Sequence, residues 1–337
     1  MTFWRSLAWK NGTRLSIVRA LGMMAFLPFL HWMIALMLRR LLPFALLAAS
    51  AAMCCSALAA APKPMTLADY LALKGPVPNA TFAYGSAPSQ YAELFLPGGR
   101  GPFPVAVLVH GGCWTKEFGG ITQLRNLAAA LAERGIASWN VEYRRVDEPG
   151  GGYPGTYQDM NAALAMLGQQ AQRYPLDLNR LVAVGHSAGG QLVQWMAGRS
   201  RIPSTSPLHQ VDPLPVKNVV SLGGLADLRR EQALIKTSCD REIGQLTGAP
   251  SDKRPDVFSD TNAGDLMPNG SRTILVTGAL DRISPPRVAD DFAKRARAAG
   301  DAAEVVILPG ASHYDEVAAS SHAWPRVLQA IESVLKP

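Results

Sequence analysis

No two histidines of this chain stand three or four residues apart, no Cys-x-x-Cys occurs, and no Gly-x-x-x-x-Gly-Lys is present. These absences remove the usual zinc spacings and the phosphate loop, so no metal and no cofactor is expected. Acidic residues are missing from residues 1–59, which hold Arg5, Lys10, Arg14, Arg19, Arg39 and Arg40. Without that segment the formal charge of +7 shrinks to 27 basic residues against 26 acidic ones. A nearly neutral body offers no electrostatic footprint for nucleic acid, and none is expected as a partner.

The basic segment has the order of a leader. Arg39 and Arg40 precede the apolar run 41–47, which passes through small residues to Ala57-Leu58-Ala59. A positive region, an apolar region and an A-x-A site together predict a signal peptide cleaved near Ala60 and a periplasmic or secreted body. Some thirty-five residues precede Arg39, so Met33 or Met37 is a candidate start. The alternative is a retained anchor at 21–38, about eighteen largely apolar residues, which would be the chain's only membrane contact. No lipobox leads into Cys54 or Cys55. Cleavage would leave Cys113 and Cys239, which can pair in an oxidising compartment or remain two buried thiols. A bridge would tie the loop after an early strand to a distant excursion.

From residue 80 onward short β-rich runs alternate with longer helical patterns. Strands are expected at 81–84, 91–96, 105–110, 137–143, 181–185, 216–222, 273–277 and 304–308. Helices are expected at 121–134, 157–174, 190–198, 286–300 and 324–335. The pattern predicts one α/β domain over 60–337, built on a predominantly parallel eight-stranded sheet with helices on both faces. The stretches 200–215 and 237–270 are long for connections and are candidate lid elements, or plain surface elaboration.

Ser187 stands in Gly185-His186-Ser187-Ala188-Gly189, directly after the apolar run 181–184 and before a helical stretch. A serine at such a strand-to-helix turn is a candidate nucleophile, and glycines on either side allow the backbones to approach. Asp281 follows the strand at 273–277 and His313 the strand at 304–308, so both fall at the sheet edge where open α/β folds gather functional groups. The order Ser187, Asp281, His313 is that of a nucleophile, its orienting acid and its base. A hydroxyl needs a neutral imidazole to take its proton, and the imidazole needs an acid to fix its tautomer. Asp227, also after a strand, is the runner-up acid. Gly111 and Gly112 follow the strand at 105–110 and, with Ala188, can aim backbone N–H groups at an oxyanion. His110 and His186 read as supporting residues. Trp114 and Tyr143 are candidate pocket walls.

With these residues in place the body resembles the α/β-hydrolase superfamily. The resemblance rests on His110-Gly111-Gly112-x-Trp114, Glu142-Tyr143-Arg144, Gly185-x-Ser187-x-Gly189, Asp281 and His313. It is similar to the esterase and lipase-type enzymes, including kynurenine formamidase-like and hormone-sensitive-lipase-like members. Cys113 stands where the latter carry a third glycine, and His186 where they carry an aspartate. The resemblance implies hydrolysis of a small-molecule carboxylic ester through an acyl-enzyme. Amide hydrolysis, of an arylformamide or a short peptide, is the enzymatic alternative, and a binding module without turnover the non-enzymatic one.

Overall fold

All eight expected strand runs are strands of one sheet in the computed structural model, which describes residues 62–336. They are β1 (Ala80–Ala83), β2 (Tyr91–Phe95), β3 (Phe103–Val109), β4 (Ala137–Val141), β5 (Leu176–His186), β6 (Asn218–Leu222), β7 (Arg272–Gly278) and β8 (Ala302–Leu308). The order across the sheet is β1-β2-β4-β3-β5-β6-β7-β8. The first two strands pair antiparallel, β2 joins β4 antiparallel, and the remaining pairs are parallel. The fold is therefore a predominantly parallel α/β-hydrolase sheet. The leader expected at 1–59, with its expected cleavage site and the alternative anchor, lies outside the described residues.

Strand alternation decides which core each residue joins. Val105, Val107 and Val109 pack with Leu181, Ala183 and Val219 on one face, under α3 (Gly155–Gln170) and α4 (Ala188–Gly198). Ala106 and Leu108 pack with Val182, Val184, Val220 and Leu222 on the other, under α2 (Arg125–Glu133) and α8 (Trp324–Leu335). Both faces are thus covered, which is why the central strands read as unbroken apolar runs. A fifth helix, α7 (Pro286–Ala299), buries Ala289, Phe292 and Ala293 against Leu275 in a third cluster.

The helix expected at 121–134 begins as a 3-10 turn over Ile121–Leu124 before α2, and the one expected at 157–174 runs 155–170. Three further helices escape the sequence pattern: α1 (Leu67–Leu71), α5 (Gln232–Cys239) and α6 (Gly244–Thr247). The first and last have five and four residues, too few to show a helical period. Among the described residues no helix is long and apolar enough to cross a membrane.

The chain reverses direction across the sheet at β3, which lies between β4 and β5. Val109 at the end of β3 is level with Gly185 near the end of β5. The loops leaving these two strands are therefore neighbours at the carboxyl edge, the switch point where such sheets place their ligands.

Candidate active site

Ser187 caps α4 with φ 53° and ψ −117°, a conformation that costs a non-glycine residue about 1–3 kcal/mol. It persists because the surroundings fix it. The Ser187 N–H donates to the Leu222 carbonyl at 2.8 Å, tying the turn to β6. A Cβ on Gly185 would fall 2.2 Å from the Gly189 carbonyl oxygen, and one on Gly189 would fall 2.1 Å from that of Val109. These two positions accept only glycine.

His313 follows β8, and its Nδ1 donates to Asp281 Oδ2 at 2.7 Å. Asp281 Oδ1 accepts the N–H groups of Ile283 and Ser284 at 2.8 and 2.9 Å, so its carboxylate is held at both oxygens. All three of Ser187, Asp281 and His313 are almost entirely buried. Ser187 and His313 open on one cavity of about 140 Å³, lined also by Leu67, Tyr70, Gly112 and Phe118. The runner-up acid Asp227 is elsewhere, accepting from Arg295 and from Asn262 Nδ2.

His186 donates from Nε2 to the His313 carbonyl at 3.0 Å, and the two rings lie 4.5 Å apart. Burial, and then the neighbouring His313, push its pKa well below the usual histidine value. It is a neutral prop for the loop that carries His313. One donor atom each of His186, His313 and Glu316 comes within 4.8 Å of the others. The His313 Nδ1 is engaged by Asp281 and the His186 Nε2 by a carbonyl, while His186 Nδ1 and Glu316 Oε2 have no partner among the described residues.

The loop after β3 is braced from below. His110 directs Nε2 at Glu142 Oε1 and Nδ1 at the Gly111 carbonyl, both at 2.7 Å. Glu142 also accepts the N–H groups of Tyr143 and Ile121. Burial would raise the Glu142 carboxyl, but the His110 charge and hydrogen bond, Arg145 and the Tyr143 N–H outweigh it and hold the pKa at about 2. Above this brace Gly112, Cys113 and Trp114 all have positive φ. Among the described residues the N–H groups of Gly111, Gly112, Cys113 and Ala188 meet no backbone or side-chain acceptor. Of these residues, Gly112 and Cys113 line the cavity beside Ser187.

The expected pocket walls need correction. Trp114 is buried in the core, and Tyr143 stacks on the His110 ring at 4.4 Å while its hydroxyl donates to the His110 carbonyl. Both steady the loop from within. The walls are instead Leu67 and Tyr70 of α1, Phe118, Ile283 and Tyr314. Helix α1 is brought here by the Met65 N–H donating to Asp315 and by Ser312 Oγ donating to the Met65 carbonyl. The stretch 200–215 does not line the cavity; Ser206 Oγ within it donates to Asp260 at 2.6 Å. The stretch 237–270 touches the cavity only through Ser238 at its start. Cys113 and Cys239 form a disulfide with Cα atoms 5.6 Å apart, joining the loop after β3 to the end of α5.

Known proteins supply the comparison. The chain is 26% identical over 254 residues to a probable isoprenylcysteine alpha-carbonyl methylesterase, ICMEL2, of Arabidopsis thaliana. That match covers 70% of this chain and 57% of the relative, so the chain spans little more than half the length of the curated relative it matches. Esterase B from Lactobacillus rhamnosis, inhibited by a tributyrin phosphonate, superposes with a TM-score of 0.63 at 20% identity over 77% of this chain and 86% of that one. A truncated carbohydrate esterase from gut microbiota gives 0.62 at 17% identity over 78% and 100%. These likenesses show the fold. The family model BD-FAE matches residues 93–295, which include Ser187 and Asp281 and end before His313. The chain belongs to the BD-FAE family and is an α/β hydrolase of the esterase type.

Proposed function

We propose that this chain is a serine hydrolase that cleaves small carboxylic esters through an acyl-enzyme. Ser187 attacks the carbonyl and His313 takes its proton, then returns it to the leaving alcohol. Asp281 fixes the histidine tautomer and stabilises the imidazolium. Backbone N–H groups of Ala188 and of Gly111 or Gly112 receive the oxyanion, each such donor being worth about 3–4 kcal/mol. Water then repeats the sequence on the acyl-enzyme.

The observation that carries this reading is the strained Ser187 turn opening on the same cavity as a His313 held by Asp281 at 2.7 Å. The cavity of about 140 Å³ beside Ser187 is small, close to the roughly 150 Å³ that accommodates benzene, which favours a short acyl chain. The probable methylesterase relative and the carbohydrate-esterase neighbour support ester chemistry. The Cys113–Cys239 bridge supports export to an oxidising compartment.

The test is turnover of p-nitrophenyl esters of graded acyl length, with an arylformamide and an aminoacyl p-nitroanilide alongside, compared with Ser187→Ala. Acetyl to butyryl esters are expected to turn over best, with Ser187→Ala lowering kcat by about 10³-fold or more. Preference for the formamide or anilide would replace the ester reading with amide hydrolysis. No turnover and no labelling of Ser187 by a fluorophosphonate would refute the catalytic reading.

A further inference from the structure

Two carboxyl groups are buried together behind His313, and their hydrogen bonds are unequal. Asp281 accepts three N–H donors, from His313, Ile283 and Ser284. Glu316, 1% exposed, accepts one, the Gly278 N–H on Oε1 at 2.7 Å. Its Oε2 is buried and has no donor among the described residues. That oxygen lies close to the Asp281–His313 contact: a Cβ built on Gly223 would come within 2.6 Å of it and 2.8 Å of His313 Nδ1.

Two like charges in so dry a space are not both kept, and the proton settles on the carboxyl with fewer donors. We infer that Glu316 is a positioning residue of the catalytic unit, protonated on Oε2 and donating that proton to the Asp281 carboxylate. Asp281 is then gripped by an O–H as well as by N–H groups, and a single negative charge stands behind the histidine. A second charge there would favour a protonated ring, which cannot take the proton of Ser187.

The other groups around Glu316 fit this arrangement. Asp315 has its Oδ2 held by two N–H donors, from Met65 and Ser312, so it is better served than Glu316 and does not compete for the proton. His186 carries no charge to offset an ionised Glu316, since burial and His313 keep it neutral. Burial, and then the Asp281 charge, raise the Glu316 carboxyl well above its ordinary range.

The inference rests on the serine-hydrolase reading, and its test uses the full chain with Glu316→Gln, Glu316→Ala and Ser187→Ala. With p-nitrophenyl acetate, Glu316→Ala is expected to lower kcat by about 10-fold. Glu316→Gln, neutral and still an N–H donor, restores it to within about 3-fold and leaves the acid limb of kcat/KM in place. A second readout does not need turnover. A carboxyl whose pKa is raised by folding stabilises the protein least at high pH, because the unfolded chain gives up the proton more readily. The Tm of Glu316→Gln is therefore expected to gain on the wild type as pH rises from about 5 to about 9.

Any one of four results would overturn the inference. Three are a Glu316→Gln acid limb displaced downward by about one unit, a Glu316→Gln Tm that falls behind the wild type at high pH, and full kcat in Glu316→Ala. Equal losses in Glu316→Gln and Glu316→Ala would likewise end it. If Ser187→Ala still turned over, the hydrolase reading would fail first, and the Tm comparison would still decide the protonation state of Glu316.

Discussion

Replacing both Cys113 and Cys239 by alanine tests how far a single covalent tie supports the loop beside Ser187. The bridge spans a sequence separation of 126 residues. On the chain-entropy account, closing a loop of that length removes about 5 kcal/mol of conformational freedom from the unfolded ensemble. In a domain of this size each kcal/mol moves the midpoint by about 2 °C, so the double variant should melt about 10 °C lower. The catalytic consequence is separate. Cys113 holds φ 51° and Trp114 φ 57°, backbone angles that cost an ordinary residue about 1–2 kcal/mol each. Without the bridge the loop can relax toward cheaper angles and carry the Gly112 N–H away from the cavity. Complete loss of one oxyanion donor costs about 10²–10³ in kcat, and partial misalignment should cost about 10-fold. The assay is thermal unfolding by circular dichroism, with kcat for a short p-nitrophenyl ester measured at about 25 °C. The double variant is preferable to a reductant because both cysteines are buried. An unchanged Tm would refute the stability argument, and an unchanged kcat would refute the claim that the bridge sets the loop.

Gly189→Ala puts a methyl 2.1 Å from the Val109 carbonyl oxygen and 2.5 Å from that of His110, both backbone atoms of the sheet edge. It should destabilise the protein by at least about 3 kcal/mol, read by urea unfolding, and a stable, active variant would contradict the close approach. Glu142 gives a pH prediction. Its folded pKa of about 2 lies below the ordinary glutamate value of 4.5, so it stabilises the protein above the unfolded value and this is lost as pH falls through about 4.5 toward 2. The shift corresponds to about 3 kcal/mol. Unfolding free energies measured across that window should fall steeply in the wild type and less steeply in Glu142→Gln; parallel curves would refute the assignment.

Much of the architecture was legible because it rests on local rules. Continuous apolar runs as short as 105–109 and 181–184, rich in valine, read as strands buried on both faces, and helix α7 begins after Pro285 and ends at Gly300 as its residues demand. The reading failed where local signal was absent. The loop residues Trp114 and Tyr143 carry no period that says which way a ring points, and five residues of α1 are too few to announce a helix.

The sequence by itself therefore determined the strand and helix alternation, the turn that only Gly185 and Gly189 permit, and the order of Ser187, Asp281 and His313. Each of these follows from steric limits or periodicities within a few residues. Only the tertiary structure decided that Asp281 rather than Asp227 meets His313, that Cys113 finds Cys239, that α1 walls the cavity, and that Glu316 lies beside Asp281. Those outcomes depend on which segments the sheet order brings side by side, and on burial, which no short stretch of sequence contains.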